Sequence, residues 1–177
     1  MKVYHSLTNV FPWGPCVELE QLDKALLEHG SIPLSNLDLG TFSLEPDGQH
    51  YQRNDFQRFA DHLASSFGHL SYPLIVSDST IDWHNHEYEW ECTGWASSVV
   101  RDAFSGRCIV DVVCGSGFVA RASHNEHFYA RVSRHLRTNR EITDVVFIGG
   151  WNDVHRTADA CRCIQRLVSF VHNYPSV

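Results

Sequence analysis

Five short apolar runs punctuate the chain: KVYHSL (2–7), IPLSNLDL (32–39), PLIVSD (73–78), RCIVDVV (107–113) and TDVVFIGG (143–150). Each has strand length and most are rich in Val and Ile; nearly continuous apolar strands suit a sheet covered on both faces. The stretches between them carry helical periodicity. VELEQLDKALLEH (17–29) puts Leu19, Leu22 and Leu26 on one face and stops at Gly30, a natural C′ residue. NDFQRFADHLASSF (54–67) opens on Asn54 as N-cap, turns Phe56, Phe59, Ala60, Leu63 and Phe67 inward, and stops at Gly68. Further helices are predicted at 94–104, near 124–137 and at 157–172. Strands alternating with helices predict an α/β fold on a mainly parallel sheet. No repeat, low-complexity segment or long linker divides the 177 residues, a length that suits one domain with a substantial core.

Hydrophobic residues make up 43% and charged residues 20%, a globular balance. A net charge of −7 repels phosphate backbones and disfavours nucleic acid as a partner. Basic residues do gather in ARASHNEHFYARVSRHLRTNR (120–140), where helical spacing predicts a solvated helix face. No apolar run reaches the roughly 18–20 residues that cross a bilayer, and MKVYHSLTNVFPWG is too polar for a signal peptide. The expectation is a cytoplasmic protein with no membrane span. The six cysteines (16, 92, 108, 114, 161, 163) form no C-x-x-C pair and are expected as free thiols.

Three segments stand where open α/β sheets place their ligands, at the carboxyl ends of strands. They are Ser77-Asp78-Ser79, the glycine turn Gly115-Ser116-Gly117, and Gly150-Trp151-Asn152-Asp153. A fourth segment, Asp47-Gly48-Gln49-His50, precedes the helix at 54–67 and has the spacing of a base with its orienting acid. Other readings stay open for each. Ser79 and Asn152 are also ordinary helix caps, and Asp47-Gly48 an ordinary turn. Gly115–Ala120 imitates a dinucleotide fingerprint, although Glu141 falls before the next strand, not at its end. Asp82, His84, His86 and Glu87 alternate as zinc ligands would, but no distant fourth ligand is evident. No metal and no cofactor are expected.

In cyclic order these segments resemble the blocks of the SGNH (GDSL-type) hydrolase family: G-D-S, a glycine turn, G-x-N-D, and D-x-x-H before the closing helix. Here the last block comes first, so the chain resembles a circular permutant. Residues 1–70 are similar to the family's C-terminal part and 71–177 to its N-terminal part, within one domain spanning 1–177. One residue departs from the pattern: Ser77 stands where the first block has glycine. The resemblance implies a three-layer α/β/α sandwich with a flavodoxin-like sheet. It also implies hydrolysis of an acyl ester through an acyl-enzyme. Ser79 would be the nucleophile, His50 its base and Asp47 the residue that orients His50. The N–H groups of Ser79 and Gly117 and the side-chain amide of Asn152 would form the oxyanion hole. Trp83, Trp90 and Trp95, with Trp151, suggest an aromatic rim for a short acyl ester, such as an O-acetyl group on a carbohydrate. Two alternatives remain: a catalytically silent binding domain on the same fold, and a nucleotide-binding domain using Gly115–Ala120. The oligomeric state is not legible.

Overall fold

The computed structural model describes residues 1–7, 16–33, 42–43, 52–81, 94–122 and 126–175, with backbone alone for Arg53, Asn54 and Trp95. Five strands form one all-parallel sheet: β1 (Lys2–Ser6), β2 (Ile32–Pro33), β3 (Pro73–Ser77), β4 (Ile109–Val112) and β5 (Asp144–Ile148). They lie in the order β2-β1-β5-β3-β4. The helices are α1 (Val17–Glu28), α2 (Arg53–Phe67), α3 (Trp95–Ala103), α4 (Phe128–Thr138) and α5 (Thr157–His172). Every residue of β3 and β5 is buried, as central strands covered on both faces must be. The edge strand β4 is half-buried throughout.

Side chains alternate across the sheet and assign the layers. Tyr4 meets Phe67 of α2 edge-on, with ring centroids 5.5 Å apart. Its neighbour His5 points the other way and bonds Asp23 of α1 at 3.1 Å. Phe147 of β5 packs on Phe128 of α4 and on Phe118. Helices α2 and α3 therefore cover one face and α1, α4 and α5 the other, which makes the three-layer α/β/α architecture expected from the sequence.

Leu19, Leu22 and Leu26 of α1 are buried, as are Phe56, Phe59, Ala60, Leu63 and Phe67 of α2. Two expectations, on the cap of α2 and on the cysteines, need correction. Asn54 is not the cap of α2: the helix begins one residue earlier, after Gln52, whose side chain makes no capping bond. Strand β2 is described only over Ile32–Pro33, and the rest of the run expected to 39 lies outside the described residues. Cys114 is disulfide-bonded, whereas Cys16, Cys108, Cys161 and Cys163 are free. Burial pushes the Cys108 thiol up to about 11, which keeps it protonated and inert. Among the described residues no helix is long and apolar enough to cross a membrane.

Candidate functional site

The carboxyl ends of β3, β4 and β5 meet, and two buried carboxylates tie them together. Asp78, directly after β3, is 1% exposed. Its Oδ1 accepts from the Thr80 N–H at 2.9 Å and from the Thr80 hydroxyl. Its Oδ2 accepts from the Gly150 N–H and from Asn152 Nδ2, each at 3.2 Å. The turn after β3 is thus locked to the turn after β5. Gly149 and Gly150 adopt φ of 128° and 108°, a region that only glycine enters cheaply. A Cβ on Gly149 would also lie 2.6 Å from Asp78 Cγ.

Asp153, fully buried, locks the loop after β4 to the same turn. Its carboxylate accepts from the backbone N–H groups of Phe118 (2.7 Å), Val119 (3.0 Å) and Ala120 (2.8 Å). Asn152 adds a second tie: its Nδ2 also donates to the Ser116 carbonyl at 2.9 Å. Burial pushes the carboxyl pKa of both Asp78 and Asp153 upward, and the donors around each oppose that shift.

Ser79 directly follows Asp78, begins a short 3-10 turn, Ser79–Ile81, and is half-buried. Gly117 and Asn152 lie in the interlocked turns, but their donors are engaged. The Gly117 N–H donates to Ala120 O at 3.0 Å, and the Asn152 amide spans Asp78 and Ser116. To hold an oxyanion, each must exchange its present acceptor. Trp151 opens the 3-10 helix Trp151–Arg156 and is half-buried. Asp47, His50, Trp83 and Trp90 lie outside the described residues, as do Asp82, His84, His86 and Glu87. Only the backbone of Trp95 is described.

The dinucleotide alternative fares poorly. It needs free N–H groups on the glycine loop and a helix opening directly after it. Here Asp153 occupies three of the loop's amides, and α4 begins only at Phe128.

Two side-chain groupings escaped the sequence reading. Arg131 of α4 is fully buried, although its neighbourhood read as a solvated basic face. Its Nη1 donates to Ser77 O (3.0 Å) and Ser116 Oγ (2.7 Å). Its Nε and Nη2 bond Asp111 Oδ1 at 3.2 and 3.0 Å, and Nη2 also reaches the Asp111 carbonyl. Burial works against the Asp111 carboxylate, but His135 and Arg131 outweigh it and hold its pKa at about 2. The second grouping is a Ser-His-Asp line remote from Ser79. His5 Nδ1 lies 2.8 Å from Ser31 Oγ, and His5 Nε2 lies 3.1 Å from Asp23 Oδ1. With His5 at 0% and Ser31 at 4% exposure, this line is closed to a substrate and braces β1 against α1.

No family model matches the chain, and neither the curated proteins nor the solved structures include a significant match.

Proposed function

We propose that the chain is a serine hydrolase that cleaves a short acyl ester, such as an O-acetyl group on a carbohydrate, through an acyl-enzyme. The observation that carries the reading is the interlock of three segments far apart in sequence. Asp78 bonds Gly150 and Asn152, while Asn152 and Asp153 bond the loop 116–120. These are the segments similar to the first, third and second SGNH blocks, and Ser79 directly follows Asp78. Strand order adds support. Counted from β3 through β4, β5, β1 and β2, the observed order becomes 2-1-3-4-5, that of flavodoxin-like sheets. A circular permutant of the SGNH fold would have this order, with its ligand crevice between β3 and β5.

In this reading Ser79 attacks the carbonyl and His50 takes its proton, then returns it to the leaving alcohol. Asp47 holds the imidazole tautomer and stabilises the imidazolium. The Ser79 N–H, and Gly117 and Asn152 once released from their present acceptors, receive the oxyanion. That requirement favours a second reading, a silent binding domain, in which those bonds are permanent.

Intact mass after incubation with a serine-reactive fluorophosphonate separates the two. The expected result is one adduct on wild type, mapped to Ser79 and lost or greatly slowed in Ser79→Ala and His50→Ala. A folded wild type that takes no label would shift the reading to the silent domain. The Cys114 disulfide favours an oxidising compartment over the cytoplasm expected from the sequence. Thiol titration of the protein from its own cells tests this: all six cysteines reactive would restore the cytoplasmic reading.

A further inference from the structure

We propose that Arg131 is a positioning residue whose buried guanidinium sets the nucleophile turn against the oxyanion loop. One Nη1 group bridges the two segments: it donates to the carbonyl of Ser77, two residues before Ser79, and to the hydroxyl of Ser116, next to Gly117. The Ser116 hydroxyl passes its own hydrogen to Val113 O at 2.6 Å, so its orientation is fixed from both sides. The Ser116 carbonyl then holds the Asn152 amide, whose other contact is Asp78. Arg131 thus touches both stems of the candidate site and reaches Asn152 through one residue. Asp111 pins the rest of the fork, and the Phe128 ring lies 5.5 Å below the guanidinium carbon.

A planar fork with its N–H groups engaged on three residues from two segments defines a distance as well as supplying charge. Lysine keeps the charge but has one nitrogen, which cannot sit between the two stems and also replace the Nε and Nη2 bonds that pin the fork to Asp111. The catalytic consequence rests on the hydrolase reading; the mechanical one does not.

The test compares wild type with Arg131→Lys in two measurements. In fluorophosphonate labelling of Ser79, Arg131→Lys should lower the maximal inactivation rate on the order of 10²-fold, the scale of a reacting group displaced by about 1 Å. Reversible binding of the reagent should stay within a few fold. In hydrogen exchange, the Thr80 amide and those of Phe118, Val119 and Ala120 should speed up while the amides of β1 hold. Ser116→Ala, which removes one acceptor and leaves the Arg131–Asp111 pair, should move the same amides less; it carries the test if Arg131→Lys does not fold. Unchanged labelling, or exchange that rises equally in β1, would overturn the positioning role. An unlabelled wild type with the local exchange change would sink the hydrolase reading and leave the coupling of the two loops standing.

Discussion

At Gly117 the space for a side chain is already taken. A Cβ there would lie 2.7 Å from Asp153 Cγ, in a place where the carboxylate is held by three backbone amides. Gly117→Ala must therefore push Asp153 off those amides or shift the loop, at a cost of about 2–4 kcal/mol. Urea denaturation should show the midpoint falling with an unchanged slope; an unaltered midpoint would mean that Asp153 has room to move. Ser77 presents the reverse case. Its hydroxyl is fully buried and makes no hydrogen bond among the described residues, while its carbonyl is well used. Removing a buried orphan hydroxyl relieves a desolvation penalty of about 1–3 kcal/mol, offset in part by the small space left behind. Ser77→Ala should melt at or above the wild-type temperature. A clear loss of stability would reveal a partner for that hydroxyl and recast the departure from glycine as functional.

Helix α4 shows how an element can be predicted in place and misread in character. Its inward stripe is Phe128, Arg131, Val132 and Leu136, the i, i+3, i+4, i+8 pattern of any amphipathic helix. Periodicity alone puts Arg131 on that stripe. What hid it was charge: an arginine among other basic residues reads as solvated, and nothing local announces Asp111, 20 residues away on β4. The consequence is measurable within one helix. Arg131→Met takes the donors away from Asp111 Oδ1, the Ser77 carbonyl and the Ser116 hydroxyl oxygen, and should cost about 3–5 kcal/mol. Arg134→Ala, whose side chain is 48% exposed, should cost less than about 1 kcal/mol despite its ion pairs with Glu126 and Asp111. Equal costs in chemical denaturation would contradict this. The same contrast explains what else was legible. Strands and helices were found because apolar spacing is a local signal, and the turns that carry Ser79, Gly117 and Asn152 because glycines and small polar residues after strands have a recognisable order. Asp153 went unassigned because its partners, the amides of residues 118–120, leave no mark on side-chain identity. The cap of α2 was misplaced because Asn54 has the right chemistry two positions too late; the residue that precedes the helix, Gln52, makes no side-chain capping bond.

For the molecule as a whole, the buried acids respond to pH in opposite senses. Asp78 and Asp153 have raised folded pKa values, so their contribution is present below the unfolded value, 3.8, and fades as pH rises through the folded one. Asp111 is depressed, from 3.8 to about 2, so its contribution is complete above the unfolded value and is lost as pH falls towards 2. The shift of 3.8 − 2 corresponds to roughly 2 kcal/mol, for a side chain 12% exposed. Acidification from neutral pH should first relieve the two site carboxylates and only then, below about pH 4, dissolve the Asp111–Arg131–His135 cluster that ties β4 to α4. Stability is accordingly expected to peak on the mildly acidic side and fall steeply below pH 4. Asp111→Asn should be less stable than wild type at neutral pH, with a gap that narrows by roughly 2 kcal/mol between pH 5 and pH 2. Denaturation curves across that range decide the matter. A gap that stays constant would mean that the carboxylate is not what holds the cluster, and the acid limb would then have to come from other groups.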